Sequence, residues 1–171
     1  SVDIGGTRTA VAMQVAETLG LAVEDIFPTV GDTDAVGYTA NTGGSRTAFD
    51  TGLAAIAAAE EVKKQMASRA SLIWEVQDED VRFEDGTFIC SKNPSDRLTF
   101  QELAARQMRT GGPITCSASA DSTGVGAIFA GNIIDVEVDP DTGKVDILRC
   151  TAFLDSGRSV HPSFVEGQMQ G

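Results

Sequence analysis

The spacing of apolar residues changes along this chain of 171 residues, and that change constrains the fold more than any other feature. In residues 7–19, apolar side chains recur at four-residue intervals, which predicts a helix with one apolar face. Gly20 is a typical helix stop. A longer, alanine-rich stretch at 45–75 predicts a second helix with Ser45 as its N-cap. The front of the chain is therefore predicted to be mainly helical, with a short extended run at 23–30.

Apolar and polar residues alternate instead in the last third of the chain. Residues 127–138 and 144–154 predict two strands, and Pro140 and Gly143 occupy turn positions between them. Alternation of this kind is typical of a sheet with one covered face. The final segment, from Pro162 onward, predicts a helix, because proline suits the first turn.

Two shorter signals lie in the middle of the chain. Residues 81–90 predict a β-hairpin turned by Asp85 and Gly86. Thr99 and Glu102 have capping-box spacing, which predicts a short helix running through Met108. Helices that precede an antiparallel hairpin favour an α+β fold, with helices packed on a mainly antiparallel sheet.

Composition excludes some classes of function. A net charge of −12 argues against a nucleic-acid surface, and no apolar run is long enough to span a bilayer. The three cysteines have no C-x-x-C spacing and the single histidine is His161, so no metal site built from side chains is predicted. We interpret the cysteines as buried, reduced thiols, which fits a cytoplasmic location. His161 is interpreted as a helix-start residue, not a catalytic base.

Two glycine turns carry the main functional signal, because each leads into a predicted helix. A helix N-terminus attracts anions, and glycine lets the backbone approach a bulky ligand closely. An adjacent arginine adds donors suited to phosphate. The two turns are predicted to hold one large anionic ligand, although Gly-Gly before a helix also occurs as an ordinary tight turn. The residues are Gly5, Gly6 and Thr7 in the first turn, and Gly43, Gly44, Ser45, Arg46 and Thr47 in the second.

Two alternatives remain open at this point. Residues 3–7 resemble the phosphate motif that opens sugar kinases of the actin-like ATPase superfamily, which would make the chain part of a phosphotransferase. In those kinases the motif joins two strands, whereas residues 7–19 here have helical spacing. The other alternative is a non-enzymatic α+β interaction module with incidental glycine turns.

Four blocks in order resemble the large, molybdopterin-binding subunit of the molybdenum hydroxylases, the xanthine dehydrogenase and aldehyde oxidase family. Each block is weak alone, but their order and spacing extend over nearly the whole chain. They are the glycine turn and helix at 5–20, the passage 23–34 ending Gly-Asp-Thr-Asp, the turn and helix start at 42–46, and the run 135–168 ending Glu-Gly-Gln.

The resemblance implies that residues 1–171 are the first part of the second molybdenum-cofactor-binding domain, truncated at both ends. The implied cofactor is molybdenum held by molybdopterin, or by its cytosine dinucleotide form, with no protein side chain on the metal. Carried over by position, both glycine turns lie against the cofactor and Gln168 directs its amide at the molybdenum end. Ile4, Gly5 and Gly6 depart from the family's Gly-Gln-Gly pattern, which loses one side-chain contact.

The resemblance also implies an enzyme larger than this chain. It would hydroxylate an aldehyde, an N-heterocycle or a related carbon with oxygen taken from water. Its electrons would leave through iron–sulfur clusters and FAD on partner subunits or domains. The family's catalytic glutamate lies downstream of residue 171, so no catalytic residue is predicted in this chain.

Overall fold

The computed structural model describes residues 5–29, 34, 37–39, 41–43, 46–121 and 127–171. The chain divides into two compact units, Ser1–Ser122 and Thr123–Gly171. Helices and a small antiparallel sheet make up the first unit. A two-stranded antiparallel ribbon and one helix make up the second. The predicted α+β class is therefore confirmed.

Helix α1 spans Thr7–Leu19, as predicted. Both flanking residues are glycines in the left-handed region, Gly6 with φ 84° and Gly20 with φ 59°. The amide of Gly20 donates to two carbonyls of the last turn, which ends the helix. After it the chain forms a 3-10 turn at Val23–Asp25, so the prediction of an extended run over residues 23–30 was wrong for its first three residues, whereas Ile26 directly after the turn is extended. The turn is closed by backbone bonds that apolar spacing does not reveal.

Helix α2 spans Thr47–Trp74 and is the longest element. Its N-cap is Arg46, one residue after the predicted Ser45, which itself lies outside the described residues. Arg46 already has a helical backbone conformation, with φ −89° and ψ −9°. Neither α2 nor any other described helix is long and apolar enough to cross a membrane.

A three-stranded antiparallel sheet follows, formed by β1 (Val81–Glu84), β2 (Thr87–Cys90) and β3 (Arg97–Thr99) in that order. The predicted hairpin is confirmed. Its turn residues Asp85 and Gly86 both have positive φ, 43° and 75°, as a tight hairpin turn of this type requires. Strand β3 was not predicted, because three residues are too few to show alternation.

The predicted capping box is present at the start of α3 (Phe100–Ala104). The amide of Glu102 donates to the Thr99 hydroxyl at 3.2 Å, and the amide of Thr99 donates to the Glu102 carboxylate at 2.9 Å. The predicted single helix is, however, two: α4 (Gln107–Thr110) begins after a break at residues 105 and 106. A tighter bond from the amide of Arg106 to the carbonyl three residues earlier interrupts the regular helical pattern.

The core of the first unit lies where α2 and α3 pack against the sheet. Phe88 and Leu103 are fully buried, and the Phe88 ring lies 4.8 Å from the ring of Phe83. The other buried members of this cluster come from the second half of α2 and from β3; they are Met66, Ala70 and Leu98.

The end of α1 packs against the hairpin turn through two glycines. A Cβ built on Gly20 would lie 2.2 Å from the amide nitrogen of Gly86. A Cβ built on Gly86 would lie 2.3 Å from the carbonyl oxygen of Gly20. No side chain fits at either position, so this close approach fixes the helix end on the sheet.

The second unit contains β4 (Phe129–Val138), β5 (Val145–Asp155) and α5 (Pro162–Gln170). The strands pair with each other along their length, with a bulge between Asp135 and Val136. The predicted hairpin and final helix are confirmed. The predicted cover over one face is not seen among the described residues: Val136, Val138, Val145 and Ile147 are 48% to 68% exposed. Two strands alone cannot bury their own apolar face.

The cysteines are all unpaired, but their burial differs. Cys90 in β2 is buried, Cys116 is partly buried, and Cys150 in β5 is exposed. The prediction of burial was therefore right for Cys90 and wrong for Cys150, because Cys150 lies on the uncovered ribbon.

A carboxylate ties the end of α2 to the turn before the sheet. Asp78 lies in a 3-10 turn, Asp78–Asp80, and accepts hydrogen bonds from the hydroxyls of Ser68 and Ser71 on α2. These two bonds hold the pKa of Asp78 below its ordinary value of 3.8. A lowered pKa means that the folded state favours the charged carboxylate.

Replacing Asp78 by asparagine is expected to lower stability near neutral pH by about 1 kcal/mol or less, since the group is exposed. The contribution of Asp78 is fully present above pH 3.8 and is lost as the pH falls through its lowered pKa. Urea midpoints of wild type and Asp78→Asn should therefore converge in acid. Glu79→Gln, which removes the same charge one residue away, is the control. A constant difference between wild type and Asp78→Asn at every pH would contradict this account.

Candidate functional site

The first glycine turn leaves open space in front of α1. Gly5 and Gly6 both have positive φ, 83° and 84°, and a Cβ built on either would meet nothing within 4 Å. No side chain caps the helix at Gly6. A left-handed residue followed by a helical one turns successive amides toward the same side, which makes a concave anion site. The turn can therefore accept a bulky anionic group against its backbone.

A depression of about 440 Å³ lies beside this turn. One side carries the start of α1 with the polar side chains Arg8 and Thr9, and the other side is apolar. Polar and apolar surfaces contribute about equally to the lining, so the depression offers contacts to both the charged and the apolar parts of an organic ligand. The lining residues are Gly6, Arg8, Thr9, Ala12, Val23, Ile26 and Pro28.

The far wall of this depression was missed by the sequence analysis. Val23, Ile26 and Pro28 line it because the 3-10 turn brings the chain back along α1. An extended run, as predicted for these residues, would lead the chain away instead. The spacing of apolar residues over so short a segment gives no signal for that return.

The second glycine turn is described only in part. Gly43, Arg46 and Thr47 are described, whereas Gly44 and Ser45 lie outside the described residues. The guanidinium of Arg46 donates to the carbonyl of Asn41 at 3.2 Å and lies 3.5 Å from the carboxylate of Asp50. Arg46 therefore braces the loop against the first turn of α2. No side chain caps this helix either.

One packing contact joins the two helices near their starts. A Cβ on Gly52 of α2 would lie 2.2 Å from the amide oxygen of Gln14 on α1, so the Gln14 side chain packs directly against the α2 backbone. That oxygen is buried and has no hydrogen-bond partner. At 1.5 Å per residue, Thr7 lies about 10 Å and Thr47 about 8 Å along their helices from the contact.

Gln168 lies in the second unit, on α5. Its side chain is exposed, and the helix begins at the N-cap His161 with Pro162 in the first turn. The interpretation of His161 as a helix-start residue is confirmed. That the two glycine turns and Gln168 hold one ligand together stays a prediction.

These observations define a class of protein. The turn at Gly5 and Gly6 leads into a helix, so the strand–turn–strand geometry of the sugar-kinase motif is not present. Within the described part of the chain, no three His, Cys, Asp or Glu side chains form a group that could hold a metal ion. The arrangement is that of an α+β domain in which the start of α1 has open space in front of it.

The comparisons with known proteins identify the family. A family model described as a molybdopterin cofactor-binding domain matches residues 1–171. The chain belongs to the molybdopterin cofactor-binding domain family. The resemblance to the molybdenum hydroxylases seen in the sequence is therefore confirmed.

Curated relatives agree with this assignment. The gamma subunit of the 6-hydroxypseudooxynicotine dehydrogenase complex of Paenarthrobacter nicotinovorans is 29% identical, over 97% of this chain and 22% of its own length. The carbon monoxide dehydrogenase large chain of Afipia carboxidovorans is 28% identical, over 97% of this chain and 21% of its own. The chain thus spans about a fifth of the length of these relatives.

A solved structure shows the same fold. The Cu,Mo-CO dehydrogenase in its carbon monoxide-reduced state superimposes with a TM-score of 0.74 and 26% identity. The match covers 98% of this chain and 22% of that one.

The first glycine turn fits a molybdopterin cofactor. The positions where a Cβ would stand at Gly5 and Gly6 are open, so the backbone is accessible to a large group. Molybdopterin carries a phosphate, which suits an uncapped helix start next to an arginine. The apolar wall of the depression suits the remainder of an organic cofactor.

Proposed function

We propose that residues 1–171 are the first part of the second molybdenum-cofactor-binding domain of a molybdenum hydroxylase large subunit. The observation that carries the proposal is the uncapped start of α1 beside an open depression. The family match over the whole chain supports it. In this role the chain binds and orients the cofactor, and the catalytic base comes from elsewhere in the subunit.

The proposed contacts come from both glycine turns and from α5. Backbone amides of the first turn and the hydroxyl of Thr7 bind anionic oxygens, while the glycines keep side chains out of the space. Arg46 adds positive charge, although its guanidinium also braces its own loop. The amide of Gln168 donates or accepts at the molybdenum end. The full set is Gly5, Gly6, Thr7, Gly43, Gly44, Ser45, Arg46, Thr47 and Gln168.

The whole enzyme is proposed to hydroxylate an aldehyde, an N-heterocycle or a related carbon, with oxygen from water. The bound cofactor supplies the two-electron oxidation, and iron–sulfur and FAD partners carry the electrons away. The two relatives are named for different substrates, so we propose a class of reaction for the whole enzyme and no single substrate. A cytoplasmic location is proposed as well, which suits three unpaired cysteines.

Gly6→Ala in the full-length subunit is expected to weaken cofactor retention about tenfold, which corresponds to about 1.4 kcal/mol. The new methyl group strains the left-handed backbone and enters the open space at the helix start. Molybdenum and pterin content of the purified protein, measured by mass spectrometry and pterin fluorescence, provide the test.

Gly112→Ala is the matched control for this experiment. Gly112 also has positive φ, 85°, and open space around its Cβ position, but it lies away from the depression. It therefore reproduces the backbone strain alone. Equal molybdenum content in the two variants would argue against the proposed turn. A wild-type protein without molybdenum or pterin would overturn the proposed function itself.

A further inference from the structure

Two aromatic rings stand where a helix start usually has hydrogen-bonding side chains. His161 is the N-cap of α5 and Phe164 is the third helical residue, the two positions that form a capping box. In α3 these positions are Thr99 and Glu102, and hydrogen bonds join them. In α5 there is no such side-chain bond; the rings of His161 and Phe164 are stacked instead, with centroids 4.1 Å apart and planes 26° apart.

The stacked rings of His161 and Phe164 stabilise the first turn of α5. The carbonyl of His161 accepts from the amides of Phe164 and Val165 at 3.1 and 3.2 Å, so the ring contact and the first helical bonds join the same residues. Stacked aromatic rings attract each other beyond the apolar area that they bury.

Gln168 lies one turn beyond Phe164 on the same face of α5. Residues four apart in a helix are neighbours on its surface. Val165 and Met169, also four apart, form the half-buried stripe beside them. The direction of the Gln168 side chain therefore depends on where the helix begins, and the ring stack joins the two residues at that start.

We propose that His161 and Phe164 are positioning residues for Gln168. This inference rests on the proposed function, in which the Gln168 amide contacts the cofactor. An amide makes directional hydrogen bonds, so it contributes to binding only when its helix is held in one orientation. The two rings hold the start of α5, and with it the position of Gln168 one turn later, without touching the cofactor themselves.

The test uses the holoenzyme with Phe164→Ala, Gln168→Ala and the double variant. The measurement is the rate at which bound cofactor is lost in mild urea, followed by the fluorescence of released pterin. Losing one amide hydrogen bond costs up to about tenfold in binding, so Phe164→Ala is expected to speed the loss of cofactor by up to about tenfold. The double variant should lose cofactor no faster than Gln168→Ala, because Phe164 acts through Gln168.

Conservative variants and a control separate positioning from general damage. Phe164→Tyr and His161→Phe keep a ring pair and should retain wild-type loss rates, whereas His161→Ala should resemble Phe164→Ala. Gln170→Ala, on the opposite face of α5, should behave as wild type. Hydrogen exchange of the α5 amides should quicken in Phe164→Ala and not in Gln170→Ala, a readout that needs no activity.

Two results overturn the inference while leaving the proposed function intact. One is a wild-type loss rate in Phe164→Ala; the other is a double variant whose effect is the product of the two single effects. A wild-type holoenzyme that releases no pterin and contains no molybdenum would instead overturn the proposed function, and the inference with it.

Discussion

Replacing Phe88 by alanine is expected to destabilise the first unit by about 3–5 kcal/mol, the largest effect of any single substitution considered. Phe88 is fully buried in β2, and its ring lies 4.8 Å from that of Phe83 and 6.2 Å from that of Phe100. The substitution removes these contacts and leaves a cavity between α2 and the sheet. The surrounding side chains come from three different elements, which limits how far they can close it.

Hydrogen exchange measures this effect in the full-length subunit, where a single unfolding transition is not expected. Amides of β1, β2 and β3 should exchange at least about 100-fold faster in Phe88→Ala, as 3 kcal/mol requires. Phe27→Ala is the matched control, because Phe27 is 85% exposed. Similar exchange rates in the two variants would show that the sheet does not depend on this core.

Gly86→Ala is expected to destabilise the first unit by about 2–5 kcal/mol. The left-handed backbone at φ 75° costs an alanine about 1–2 kcal/mol. Its Cβ would also stand 2.3 Å from the carbonyl oxygen of Gly20, and overpacking of this kind costs about 1–3 kcal/mol more. The neighbouring atoms are backbone, so they cannot move aside as a side chain would.

Gly112→Ala is again the control, because it separates the backbone strain from the collision with the Gly20 carbonyl. Gly112 has φ 85° and open space, so its substitution should show the backbone strain without the collision. Exchange of the α1 and β2 amides is the measurement, and Gly20→Ala should match Gly86→Ala. If Gly112→Ala proves as harmful as Gly86→Ala, the close contact between helix end and turn is not important for stability.

The parts of the fold predicted from the sequence are those that a few neighbouring residues determine. Gly20 ends α1, Asp85 and Gly86 turn the hairpin, and Thr99 with Glu102 starts α3. Each of these works through backbone conformation or hydrogen bonds within three or four residues. Such local determinants can be recognised in a single sequence.

The parts that were not predicted depend on distant or very short segments. Strand β3 has three residues and forms only because β2 is beside it. The break between α3 and α4 and the 3-10 turn at Val23–Asp25 follow from how the chain packs, not from apolar spacing.

The candidate site, too, was predicted only where its determinants are local in the sequence. Both helix starts were predicted from glycine turns, because the signal is local. The apolar wall of the depression was not, because Val23, Ile26 and Pro28 reach it only through the return of the chain along α1. The contact between Gln14 and Gly52, which joins the two helices, is likewise invisible in a single sequence.

The glycine pair that joins α1 to the hairpin also restricts how the chain can change in length. Gly86 is one of the two residues of the hairpin turn, and its Cβ position lies 2.3 Å from the carbonyl oxygen of Gly20 at the end of α1. A residue inserted into that turn would push the end of α1 outward and tilt the whole helix, including the glycine turn at its start.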